Sequence, residues 1–184
     1  MTLIAEKTYT SEDLLNDPNL AGYELVKGYL RERPVSERSS KVGARIIRLL
    51  GNEAEKAGQA VVYGSDLGYQ CFPDSSINVR FGDASVIDAA RLRQIPGDPG
   101  FMPIPADLVV EVLSPNDKSK DVADKVKDYL KAGFRLIWVV DPEWRNVHIY
   151  RPDGSVQLLS EREEITGETA LPGFRCKVGE FFGV

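Results

Sequence analysis

A chain of 184 residues is long enough to bury a core of its own without disulfides or a structural metal, so one domain, residues 1–184, is expected. With 42% hydrophobic and 28% charged residues, 16 Gly and 11 Pro, the composition excludes a fibrous or disordered chain, and no apolar run approaches the roughly 18 to 20 residues that cross a bilayer. The net charge of -5 argues against coating nucleic acid through bulk electrostatics, but it leaves room for local basic faces on an acidic body.

The start, "MTLIAEKTYT", lacks the basic stretch, apolar stretch and small-residue cleavage site of a secretory leader. Cys71 and Cys176 are too few and too far apart for a disulfide scaffold or a Cys-based zinc site. Ordinary thiols of a cytoplasmic protein are the expectation.

In chain order, "TSEDLLNDPN" has Thr10 or Ser11 as N-cap and acids in its first turn, which predicts a short helix ended by Pro18. "YELVKGYLRER" reads as a β-hairpin turning at Lys27-Gly28. "SSKVGARIIRLLGNEAEKAG" places Val42, Ile46, Leu49 and Leu50 at helical spacing and stops at Gly58, predicting a long helix. Short strands follow at "AVVYGS", "LGYQCF", "INVRF", "ASVIDA" and "DLVVEVLS". "DVADKVKDYLKAG" predicts a second long helix with Val122, Val126, Tyr129 and Leu130 as its apolar stripe and Gly133 as its stop. "RLIWVVD" and "NVHIYR" are strands joined by the turn "PEWR"; "GSVQLL" and "LPGFRCKVGEFF" are expected to complete the sheet and its edge. The fold class is α/β (α+β), a mixed sheet flanked by helices, with a strand, helix, strand crossover from "DLVVEVL" to "RLIWVV".

Glu111 lies between Val110 and Val112 in an apolar strand, where an unpaired carboxylate costs several kcal/mol in real proteins. Asp83, in "VRFGDASVI", stands 28 residues earlier at the entry to another strand. If the two strands are neighbours, both acids reach one end of the sheet, as a site for a hard divalent cation requires. The alternative is that Asp83 caps a turn and Glu111 pairs with a basic residue in the core, and spacing alone does not decide between them.

The order "YELVKG", "VRFGD", "PADLVVEVLSP", an Asp, Lys and Tyr along a helix, "GFRLIWVVDP" and "VHIYR" resembles the Uma-type putative restriction endonuclease family, within the PD-(D/E)XK nuclease superfamily. The resemblance implies a restriction-endonuclease-like fold and a Mg²⁺- or Mn²⁺-dependent endonuclease acting on DNA, with two-fold association as a further expectation. By resemblance, Glu24 matches the early acid, Asp83 the aspartate of the "PD" element and Glu111 the acid of the "(D/E)XK" element. The metal would be held by Asp83, Glu111 and the Val112 carbonyl. Position 113, where the superfamily has a lysine, is Leu113, and the resemblance assigns that role to Lys125 on the following helix. Gly82 stands where the proline belongs.

Lys118, Asp121 and Lys125 border the apolar stripe of that helix, so Lys125 can reach back over the strand end; an Asp121 to Lys125 surface pair is the bland alternative. Lys41, Arg45 and Arg48 recur at helical spacing away from Val42, Ile46 and Leu49, and Arg31, Arg33 and Arg38 precede them. With Lys118 they are the candidate phosphate-tracking residues, against the alternative of a solvated helix face. A degenerate nuclease fold that binds nucleic acid or a protein partner without cleaving is the competing functional reading. His148 is the only histidine, which excludes a His-rich metal site; Trp138 reads as core and Trp144 as the cover of a turn.

Overall fold

In the computed structural model the described residues are 7–97 and 100–183. Residues 1–6, part of the stretch read as lacking a leader, lie outside them, as do residues 98, 99 and 184.

The chain begins with helix α1 (Ser11–Asn16), capped by reciprocal hydrogen bonds between Thr10 and Asp13. Strands β1 (Tyr23–Val26) and β2 (Tyr29–Glu32) form a hairpin. Its turn residues, Lys27 at φ 53° and Gly28 at φ 82°, are both left-handed, which matches the twist of the flanking strands. Helix α2 (Glu37–Ala57) starts at a Ser36 cap and ends at Gly58, φ 59°. Then come β3 (Ala60–Gly64), β4 (Gly68–Tyr69), β5 (Arg80–Phe81), β6 (Ala84–Asp88), α3 (Ala89–Leu92) and β7 (Leu108–Val112). Helix α4 (Ser119–Ala132), stopped by Gly133 at φ 91°, leads into β8 (Leu136–Asp141), β9 (Asn146–Tyr150) and β10 (Val156–Ser160). Strands β11 (Glu164–Thr166) and β12 (Arg175–Lys177) and helix α5 (Gly179–Phe182) complete it.

Six strands form the main sheet in the order β10, β9, β8, β7, β6, β3. Strands β7 and β8 are parallel and joined through α4; the other pairs are antiparallel. This is a mixed α/β architecture with helices on the sheet. Pleating sends alternate residues of β7 to opposite faces. Leu108, Val110 and Val112 join Val42, Ile46, Leu50, Trp138 and Phe181 in the core beneath α2, while Val109 joins Val126, Tyr129, Phe134 and Ile137 beneath α4. Glu111, two positions after Val109, therefore faces α4.

Three expectations need correction. "LGYQCF" and "INVRF" contribute only β4 and β5, a two-stranded ribbon outside the main sheet, because the left-handed Asp74 and the turn from Ser75 to Ile77 take the intervening chain away. "LPGFRCKVGEFF" does not extend the sheet edge. Its Phe174 and Phe181 bury against the sheet face beside Trp138, at ring separations of 5.8 and 5.9 Å, and β12 pairs with β11 in a separate ribbon. Trp144, expected to cover a turn, is instead 77% exposed.

If the tail is part of the core, Phe181→Ala should cost about 3–5 kcal/mol in chemical denaturation. A loss in the range of surface substitutions, about 0.5 kcal/mol, would contradict that placement.

Candidate active site

The β6–β7 pairing aligns Ala84 with Val110, so the next residues outward on the two strands are Asp83 and Glu111. The Asp83 N–H donates to the Val110 carbonyl at 2.8 Å, and its carboxylate Oδ2 accepts the Val112 N–H at 2.6 Å. Because backbone groups of alternate residues point to opposite neighbours, the Val112 carbonyl lies on the side of its N–H, toward Asp83 and past the end of the β6 pairing. The strands thus bring the two acids to one sheet end. Glu24 arrives separately: the hairpin docks through the Leu25–Val79 bridge, and Glu24 is buried.

Lys125 of α4 joins these parts. Its ammonium has three protons and three acceptors: Glu111 Oε2 at 2.8 Å, Glu24 Oε1 at 2.7 Å and the Phe81 carbonyl at 2.7 Å. One turn on, the Tyr129 hydroxyl donates to Glu111 Oε1 at 2.7 Å. Glu24 also accepts the Phe81 N–H at 3.0 Å and Arg80 Nη1 at 3.1 Å, and Arg80 donates in turn to Asp128 at 2.5 Å. Lys125 is therefore not spent on an Asp121 pair.

These contacts divide the carboxylates by charge state. Burial works to raise the Glu24 pKa, yet Lys125 and Arg80 outweigh it and hold the group below its ordinary value. Burial raises Asp83, against the Val112 N–H, Lys125 and Arg33. Burial also pushes Glu111 up, to about 7, with Lys125 opposing and the charges of Asp83 and Glu24 adding to the rise. Lys125 stays charged: burial lowers its pKa, but Glu111 and Glu24 more than reverse that. For the neighbouring pair Asp83 and Glu111, burial thus outweighs the nearby cations and disfavours the charged forms.

A divalent ion would offset that cost by stabilising the charged forms. Among the described residues no three His, Cys, Asp or Glu side chains gather into a metal cage. Mg²⁺ needs no such cage, since one or two carboxylates with carbonyls and water suffice. Each Glu111 oxygen makes one hydrogen bond and keeps a second lone-pair direction, and Asp83 engages only Oδ2, so the donor set fits a hard oxygen-seeking cation.

Residues 9–179 match the Uma2 family, described as a putative restriction endonuclease. The chain belongs to this family. No curated protein sequence matches it. Among solved structures it is similar to a putative nuclease belonging to DUF820 from Anabaena variabilis, at 19% identity and TM-score 0.80, over 94% of this chain and 97% of that one. That likeness carries the fold.

Both departures noted in this Uma2 member have a structural reason. A Cβ at Gly82 would approach Val109 Cγ2 to 2.5 Å, so proline does not fit without moving a core valine. Leu113 lies on the same pleat face as Glu111 and packs beside the α4 core, while Lys125 enters from the helix above and brings its ammonium to the same carboxylate.

The basic candidates are less unified. Arg31, Arg38, Lys41, Arg48 and Lys118 are exposed. Arg33 is fixed: it donates to the Ser65 carbonyl at 2.5 Å and lies over the Phe81 ring at 4.5 Å, close enough to lower the Asp83 pKa. Arg45 is half-buried against Gly183 and so is turned from the strip formed by Lys41 and Arg48. The sequence reading missed Tyr129 and Asp128. Tyr129 sits at core spacing and differs from a stripe residue only by its hydroxyl. Asp128, three residues after Lys125, offers no cue without the Arg80 partner.

Lys125→Met should destabilise the protein by about 3–5 kcal/mol at pH 8, as expected when one partner of a buried ion pair is removed. Glu111, with its pKa raised to about 7, is largely neutral at pH 5 and no longer needs the cation. The cost measured by urea denaturation should therefore shrink as pH falls from 8 to 5, and an equal cost at both values would contradict the charge assignment.

Proposed function

We propose that this protein is a Mg²⁺- or Mn²⁺-dependent endonuclease that hydrolyses phosphodiester bonds in DNA. Supporting the reading above all is the pairing of two half-buried carboxylates, Asp83 and Glu111, at one sheet end with pKa values raised and oxygens to spare. Membership of a family described as a putative restriction endonuclease supports the nuclease class and the choice of DNA.

Asp83, Glu111 and the Val112 carbonyl would hold the cation. When bound, it supplies Lewis acidity at the scissile phosphate and lowers the pKa of water. Lys125 limits the rise of the Glu111 pKa, orients the attacking water and stabilises charge on the pentavalent transition state by exchanging one of its present acceptors for it. Glu24 fixes the Lys125 ammonium and, with Arg80 and Asp128, braces the hairpin against α4. Arg31, Arg38, Lys41, Arg48 and Lys118 track the backbone, while Arg33 balances Asp83. A two-fold dimer would supply a second site for the opposite strand. The free thiols Cys71 and Cys176 suit a reducing cytoplasm.

Purified protein should nick supercoiled plasmid with Mg²⁺ or Mn²⁺ and not with EDTA. Asp83→Ala and Glu111→Ala should each lower the rate by at least about 100-fold, since loss even of an outer-shell partner costs roughly 10- to 100-fold. Cleavage that persists in both variants would remove the assignment.

Cation binding should also depend on pH. Below about 7 the ion must displace a proton from Glu111. Mn²⁺ affinity by calorimetry should thus fall roughly tenfold per pH unit there, as for any ligand that releases one proton. Glu111→Gln should abolish that slope; an unchanged slope would place the titrating group elsewhere.

A further inference from the structure

A cavity of about 490 Å³ opens beside the candidate active site, at the ends of β7 and β8. Leu113, Val122 and Val139 form its apolar wall, and His148 and Tyr150 of β9 form a second wall. Strand register ties it to the site: Glu111 lies opposite Val139 on β8, and Val139 lies opposite His148 on β9. Pleating puts all three on the α4 face, and two strand spacings place His148 about 10 Å from Glu111.

The two rings on β9 are stacked, with centroids 6.4 Å apart and planes at 25°. Beyond them, on β10, Leu158 opposite His148 and Val156 opposite Tyr150 are 55% and 57% exposed, so no helix among the described residues covers them. A half-buried aromatic pair lining an open cavity, two strands from the candidate phosphodiester site, suits the stacking of a base. The charged groups of the cavity point the same way. Arg38 is its cation, whereas Asp117, Asp141 and Glu143 are acidic. That balance repels a phosphate but offers acceptors to the amino edge of a base.

We propose that this cavity is a subsite for an unpaired nucleobase, stacked on His148 and Tyr150, next to the phosphodiester handled at Glu111. The inference rests on the phosphodiesterase reading and narrows its substrate class to single-stranded or locally opened nucleic acid. A base inside an intact duplex is stacked and paired and cannot enter without being flipped out.

Full-length protein in EDTA is titrated into a labelled short single-stranded oligonucleotide and into a blunt duplex of the same length, followed by fluorescence anisotropy. The single strand should bind tighter. His148→Ala and Tyr150→Leu should each weaken single-strand binding by roughly 5- to 100-fold, the range for loss of one base stack, and leave duplex binding unchanged. His148→Phe, which keeps a ring at an accessible position, should retain single-strand affinity and guards against misfolding as the cause. Unaltered single-strand binding by His148→Ala, or equal losses for both ligands, overturns the subsite. Plasmid cleavage by the same preparations separates the two claims. Cleavage that needs Asp83 and Glu111 with no role for His148 in single-strand binding overturns the subsite alone. Binding that depends on His148 with no cleavage under Mg²⁺ or Mn²⁺ upholds the subsite and overturns the catalytic reading, and absence of binding to either nucleic acid overturns the subsite.

Discussion

The Lys125 ammonium sits where three separate parts of the chain converge, and the arrangement of the site depends on it. It touches the hairpin through Glu24, the short strand β5 through the Phe81 carbonyl and the main sheet through Glu111. Buried carboxylates this close repel one another, and water is not present in bulk to screen them. A cation with three directed donors answers the repulsion and the unmet lone pairs together. Its supply is matched to two acids, however, and Asp83 is a third.

That imbalance explains why the acids differ. Glu24 is held ionised by Lys125 and Arg80 and acts as a brace. Burial pushes Glu111 up to about 7 against the same lysine, and the charges of Asp83 and Glu24 add to the rise. The proposed preference for a hard ion rests on the all-oxygen donor set; the chain's single histidine lies two strands away. The sheet presents these groups in rows: Asp83 just before β6 and Glu111 on β7, an apolar step at Val139, then aromatic rings on β9.

Much of this was legible in the sequence where local chemistry decides structure. The caps at Gly58 and Gly133, the Lys27-Gly28 turn and the apolar stripes of α2 and α4 each carry their own physical cause within a few residues. Glu111 announced itself because a carboxylate in an apolar strand demands a partner. The illegible parts depend on contacts far apart in the chain. Tyr129 looks like any core residue until Glu111 is found beneath its hydroxyl. The tail from Leu171 to Phe182 is apolar, and apolarity does not say whether a segment lengthens a sheet or covers its face. Arg45 fits the basic spacing of α2, yet the end of α5 claims it.

The most direct test of the central claim is anomalous diffraction from crystals soaked in Mn²⁺. The account predicts one strong Mn²⁺ peak between the carboxylates of Asp83 and Glu111, within bonding distance of both and of the Val112 carbonyl. A peak held by other residues, or none at a concentration that saturates solution binding, would contradict it.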